Sequence, residues 1–155
     1  MDDTMARDSG TARPVHLWIV GLLALIWNAF GCTDYVMTRM RNTEYLAGMM
    51  PNSDPNQMLA YVDSFPLYAQ IGWGLGVWMG LAGAILLLMR HRWAVAAFGL
   101  SFVGMVLSFS YQLTHPSGMA EMDEGMGAMV PWVIMAVGVL LFFYARSMRI
   151  KGVLR

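Results

Sequence analysis

Charge is scarce in this chain, and cysteine is scarcer. Charged side chains make up 13% of the 155 residues, about half the roughly 25% of an average soluble domain. Hydrophobic residues make up 57%. So little polar surface excludes an ordinary water-soluble domain and makes a membrane protein the first reading. The formal net charge is zero, so no general electrostatic case exists for nucleic acid or for an acidic partner. The single cysteine, Cys32, excludes an internal disulfide and gives no metal-ligand spacing. No nucleophile beside its base, metal triad or phosphate loop is visible, so neither an enzyme nor a cofactor is expected.

What the chain does have is long apolar runs. Val15 to Thr33, Ser64 to Met89, Trp93 to Thr114 and Gly125 to Ala145 contain no Asp, Glu, Lys or Arg. Each is near or above the roughly 20 residues that a spanning helix needs. The expected fold class is all-α: a four-helix transmembrane bundle forming one integral membrane domain over 1–155. Its helices are placed at about 15–36, 64–89, 93–114 and 124–146, behind a flexible tail at 1–14. Pro66 suits a first helical turn. Pro131 lies inside the fourth run, so that helix must begin before it, near Met122 to Met126, and bend there.

The basic residues are sorted. Arg7 and Arg13 precede the first run, Arg90 and Arg92 sit in the turn between the second and third, and Arg146, Arg149, Lys151 and Arg155 follow the fourth. Only Arg39 and Arg41 lie on the other side. The positive-inside rule then puts both termini in the cytoplasm. Trp18, Trp73, Trp93, Trp132 and Tyr144 fall near run ends, as interfacial aromatics do. In the first outer loop, the amphipathic stretch from Thr43 to Met50, a Pro51–Pro55 turn cluster and the stretch from Gln57 to Pro66 predict a helical segment lying on the membrane surface.

Polar residues inside apolar runs mark where helices face protein, because hydrocarbon cannot satisfy an amide. Asn28, Asp34 and Tyr35 fall in the outer part of the first helix and Gln70 in the outer part of the second. Ser101, Ser108, Gln112 and His115 share a face of the third, with Gly104 close to that line. Asn28, Asp34, Tyr35, Gln70, Ser108, Gln112 and His115 are therefore the candidate ligand-binding residues, converging on an outward-facing polar pocket. The alternative is that they only hydrogen-bond one another between helices. Gly72, Gly76 and Gly80 form a doubled G-x-x-x-G, a seam where backbones approach closely, within the chain or against a partner. Met119, Met122, Met126 and Met129 are spaced 3, 4, 3 with His115 nearby, a soft donor set suited to Cu(I). The same spacing also describes a helix stripe filled with flexible side chains. Metal binding through Met119, Met122, Met126 and His115 is kept as the weaker alternative.

The motif W-N-x-x-G-x-x-D-Y (Trp27, Asn28, Gly31, Asp34, Tyr35), the downstream Asp63-Ser-Phe-Pro, Arg92-Trp-Ala-Val and Ser110-Tyr-Gln-Leu together resemble a group of short bacterial four-helix inner-membrane proteins, largely uncharacterised, some of which carry the automatic label "sugar transporter". The resemblance runs from about His16 to the basic C-terminal tail and leaves out the Met-rich third loop. It implies fold and location and carries over no functional residue. The expected function is a non-enzymatic membrane protein that binds or passes a small polar solute. The alternative is an accessory subunit packed on a larger membrane complex through the glycine seam. The partners expected are the lipid bilayer and either a second copy or such a complex, and no nucleic acid.

Overall fold

The computed structural model describes residues 14–155; the expected tail, apart from Pro14, lies outside the described residues. Seven helices follow one another: α1 (Val15–Arg39), α2 (Thr43–Met49), α3 (Pro55–Asp63), α4 (Leu67–Leu88), α5 (Ala94–Thr114), α6 (Ala120–Asp123) and α7 (Gly125–Ile150), with no strand among the described residues. Four of them, α1, α4, α5 and α7, are long and apolar enough to cross a membrane.

The ends of these helices have local causes. Pro66, with no amide hydrogen to lose, stands at the N-cap of α4. Helix α1 runs on to Arg39, beyond the expected end near residue 36. Its polar last turns have partners: Asp34 accepts from Tyr45 Oη and Arg39 donates to Gln70. Arg41 and Arg90 follow the C-caps of α1 and α4 with positive φ, at 57° and 60°. That left-handed position usually belongs to glycine. Here the side chain has a second task, Arg41 pairing with Asp63 at 3.0 Å and Arg90 Nε donating to the Val153 carbonyl at 3.0 Å.

The first loop is structured. Asn42 caps α2 through Tyr45 N, and Asp54 caps α3 through Asn56 N, with Pro55 as the first helical residue. α6 ends at Asp123 and α7 begins afresh at Gly125, which takes a φ of 54°. Met119, Met122, Met126 and Met129 therefore do not line one continuous helix.

The spanning helices pack as a row. α1 lies on α4, α4 on α5, and α5 on α7. The α4–α5 contact is the closest. An added Cβ at Gly104 would meet the backbone of Gly72 and Gly76, and one at Gly72 would meet Gly104 O at 2.8 Å. Gly80 sits under the side chain of Asn28. The glycine seam is thus occupied from within, by α5 on one side and α1 on the other.

α1 and α7 close the row at one end only. His16 Nδ1 and Tyr144 Oη are 2.7 Å apart, and their rings meet edge to face at 5.9 Å. Leu17, Ala24, Leu87, Phe98, Leu141 and Ala145 form the apolar core at that end. The C-terminal tail folds back there too: Arg92 N donates to Arg155 O, and Arg155 N to Arg90 O, both at 2.8 Å. Elsewhere α1 and α7 stand apart, and only 6% of the most apolar window of α7 is buried.

Candidate functional site

Between the splayed halves of α1 and α7 lies a cavity of about 680 Å³, walled by all four spanning helices. Ligand pockets commonly run from about 300 to 1,000 Å³. At about 30 Å³ per water, this one has room for on the order of twenty water-sized groups. Its floor is the core joined by the His16–Tyr144 contact. Its roof comes from the two structured loops, through Leu46, Met50, Tyr61, Phe65, Glu121 and Met122.

The roof is held by named bonds. The Glu121 carboxylate accepts from Ser53 Oγ at 2.6 Å, from Asn52 Nδ2 at 2.9 Å and from Asn52 N at 3.3 Å, tying the α2–α3 turn to α6. The hydroxyl of Ser53, followed by the two Asn52 donors, holds this carboxyl below the usual range. Asp123 accepts from the amides of Ser117 and Gly118, which shapes the turn into α6. Tyr61 Oη donates to the His115 carbonyl at 2.8 Å. Burial, then the charge of Asp123 and the neighbouring Tyr111, push the Tyr61 hydroxyl up to about 12, so it stays a donor at any ordinary pH.

The expected site residues divide. Asn28, Asp34, Ser108 and Gln112 line the cavity. Asn28 Nδ2 donates to the Ala24 carbonyl at 2.7 Å, while its oxygen lies against Gly80 and close to Ser101. Ser101 Oγ donates to the Gly76 carbonyl at 2.6 Å, clasping α5 to α4. Gln112 Nε2 donates to Ser108 Oγ at 3.3 Å, which leaves the Gln112 carbonyl as an acceptor. Asp34 accepts one long bond, 3.4 Å, from Tyr45 Oη. Burial raises the Tyr45 hydroxyl, and the Asp34 charge pushes the same way.

Tyr35, Gln70 and His115 lie outside the cavity wall. Tyr35 packs on α4, where its ring meets Trp73 edge to face at 4.8 Å and its hydroxyl lies over Gly74. Gln70 bridges Arg39 and the Phe65 carbonyl. His115 stacks on Tyr111 at 4.2 Å and pairs with Thr114. Of the soft donors, Met119 is buried, Met122 faces the cavity, and Met126 is 87% exposed. Among the described residues no group of three or more His, Cys, Asp or Glu is placed to hold a metal ion.

Much of the wall is apolar: Trp73, singled out in the sequence only as an interfacial aromatic, and Met105, Phe109, Ile134, Gly138 and Leu141, not singled out at all. Pro131 also lines it; lacking an amide hydrogen, it leaves the Gly127 carbonyl on the same wall without its usual intrahelical donor. His16 and Tyr144, which close the floor, carried one available signal: each is a hydrogen-bonding ring at the basic end of an apolar run. No family model, curated protein or solved structure matches the chain.

Proposed function

We propose that this multi-pass membrane protein is a binding protein whose central cavity holds a small amphipathic molecule. The observation that carries the reading is the cavity itself: a mostly apolar wall that also carries a few polar groups, those of Asn28, Asp34, Ser108 and Gln112. Such a wall suits a molecule with an apolar body and a polar head better than the small polar solute expected from the polar residues alone. Binding is favoured over catalysis because the cavity's hydroxyls are engaged in the scaffold, Ser101 with Gly76 and Ser108 with Gln112, and no histidine is among its described wall residues. The accessory-subunit reading has less support, since the seam it would use is filled by α5 and α1. In this reading the protein sits in a bacterial inner membrane with the basic ends of its helices in the cytoplasm.

The test is a blocked cavity. Gly31 lines the wall, and a Cβ there would meet only Val77 Cγ1, at 3.9 Å. Gly31→Phe should fill the space and leave the helix packing alone. Native mass spectrometry of protein extracted from its own membrane should show a small molecule bound one to one in the wild type and absent from the variant. An empty wild-type protein, or an equally loaded variant, would refute the reading.

A further inference from the structure

We infer that the cavity selects a lipophilic organic cation, with Asp34 as its counter-charge, and that it takes this ligand sideways from the bilayer between α1 and α7. The inference rests on the binding role proposed above and adds the ligand's charge and its route.

The charge follows from the wall. Three carboxylates line the cavity, those of Asp34, Glu121 and Asp123, and no Lys, Arg or His is among its described lining residues. Two of the three are already satisfied: Glu121 by Asn52 and Ser53, Asp123 by two backbone amides. Asp34 is different. It is half-buried on a spanning helix and accepts one 3.4 Å bond. Among the described residues it has no cationic partner, because Arg39 reaches Gln70 and Arg41 pairs with Asp63. A half-buried carboxylate on an apolar cavity wall without a counter-ion is costly, and a bound cation would offset that cost. The neighbouring walls carry the rings of Trp73, Phe65 and Phe109, whose faces attract cations and whose bodies suit an apolar ligand.

The route follows from the closed ends. The His16–Tyr144 contact and the core behind it seal one end, and the Glu121-bonded loops cover the other. Between them, wall residues of α1 and α7 are also surface residues: Trp27 is 42%, Phe30 57% and Val130 51% exposed. Trp27 and Phe30 lie about 16 to 21 Å along α1 from His16, at about 1.5 Å per residue, a depth at which the surroundings are hydrocarbon. A ligand reaching the cavity by this gap comes from the lipid phase, which a charge buried in an apolar body permits.

The experiment uses the whole protein in lipid nanodiscs and two probes of matched size and opposite charge, tetraphenylphosphonium and tetraphenylborate. The cation should bind at least about tenfold more tightly than the anion, as one desolvated cation–ring and carboxylate site would give. Gly31→Phe should abolish that binding, Asp34→Asn should erase the preference, and Asp34→Glu should retain it, with thermal melting confirming that each variant is folded. Equal binding of the two ions, or an unchanged preference in Asp34→Asn, would overturn the cation assignment while leaving the cavity reading in place. Absence of any binding that Gly31→Phe blocks would overturn both.

Discussion

Glu121 shows how much one side chain organises at the roofed end. Its carboxylate, lowered by its Ser53 and Asn52 donors, is charged wherever the pH exceeds its ordinary value of 4.5, and the tether is then complete. A lowered carboxylate loses its contribution as pH falls through its native value, below 4.5. Amide exchange at Asn52, corrected for its intrinsic pH dependence, should therefore show steady protection at neutral pH and a loss of protection below about 4.5. Glu121→Gln should show weaker protection throughout and no such step; a step of equal size in the variant would mean that another group holds the roof. At this scale the sequence was informative in part. Asn28 was readable as facing protein, because an amide is expensive in hydrocarbon. Its own-helix bond to Ala24 was not, since a side chain four residues from a carbonyl has that option without any neighbour. Depth alone points Gln70 to the pocket, and depth with a shared face of α5 points His115 there, but neither fixes which way a side chain near a helix end turns; Arg39 and Tyr111 claim them.

The helices were the most legible elements, since runs free of charge have few other destinations. Their ends were less so. The last turns of α1 are polar and persist because Tyr45, from the loop that follows, and Gln70, on α4, supply partners. The glycine motif on α4 announced a close contact but not its counterpart, and Gly104 on α5 is that counterpart. Gly104→Leu would drive a side chain into the backbone of Gly72 and Gly76. It should cost at least the roughly 1 to 3 kcal/mol of an overpacked core, read as a lowered melting temperature in detergent. Gly48→Leu, where an added Cβ meets nothing within 4 Å, should be close to neutral. Comparable losses at both positions would contradict an α4–α5 seam.

For the whole molecule, the row order and the one-ended closure of α1 on α7 were beyond reach of the sequence. Charge patterns orient helices and periodicity finds their faces, but neither says which faces meet. Paired cysteines in a Cys32→Ser background test the arrangement. His16→Cys with Tyr144→Cys should cross-link with a short reagent, while Phe30→Cys with Val130→Cys should need a longer one. Equal short-range cross-linking of both pairs would show a bundle closed along its length and no lateral gap.

The His16–Tyr144 contact spans 128 positions of the chain, whereas the rest of the spanning-helix row joins each helix to the next. A chain emerges for folding from its N-terminus during synthesis. α1, α4 and α5 can thus settle on one another while the ribosome is still working, and the cavity gains its last wall only when α7 arrives. The cavity is closed by α7, the last of the four long helices to be translated, so a ribosome stalled before Tyr144 would leave α1, α4 and α5 docked on one another and the cavity without its fourth wall.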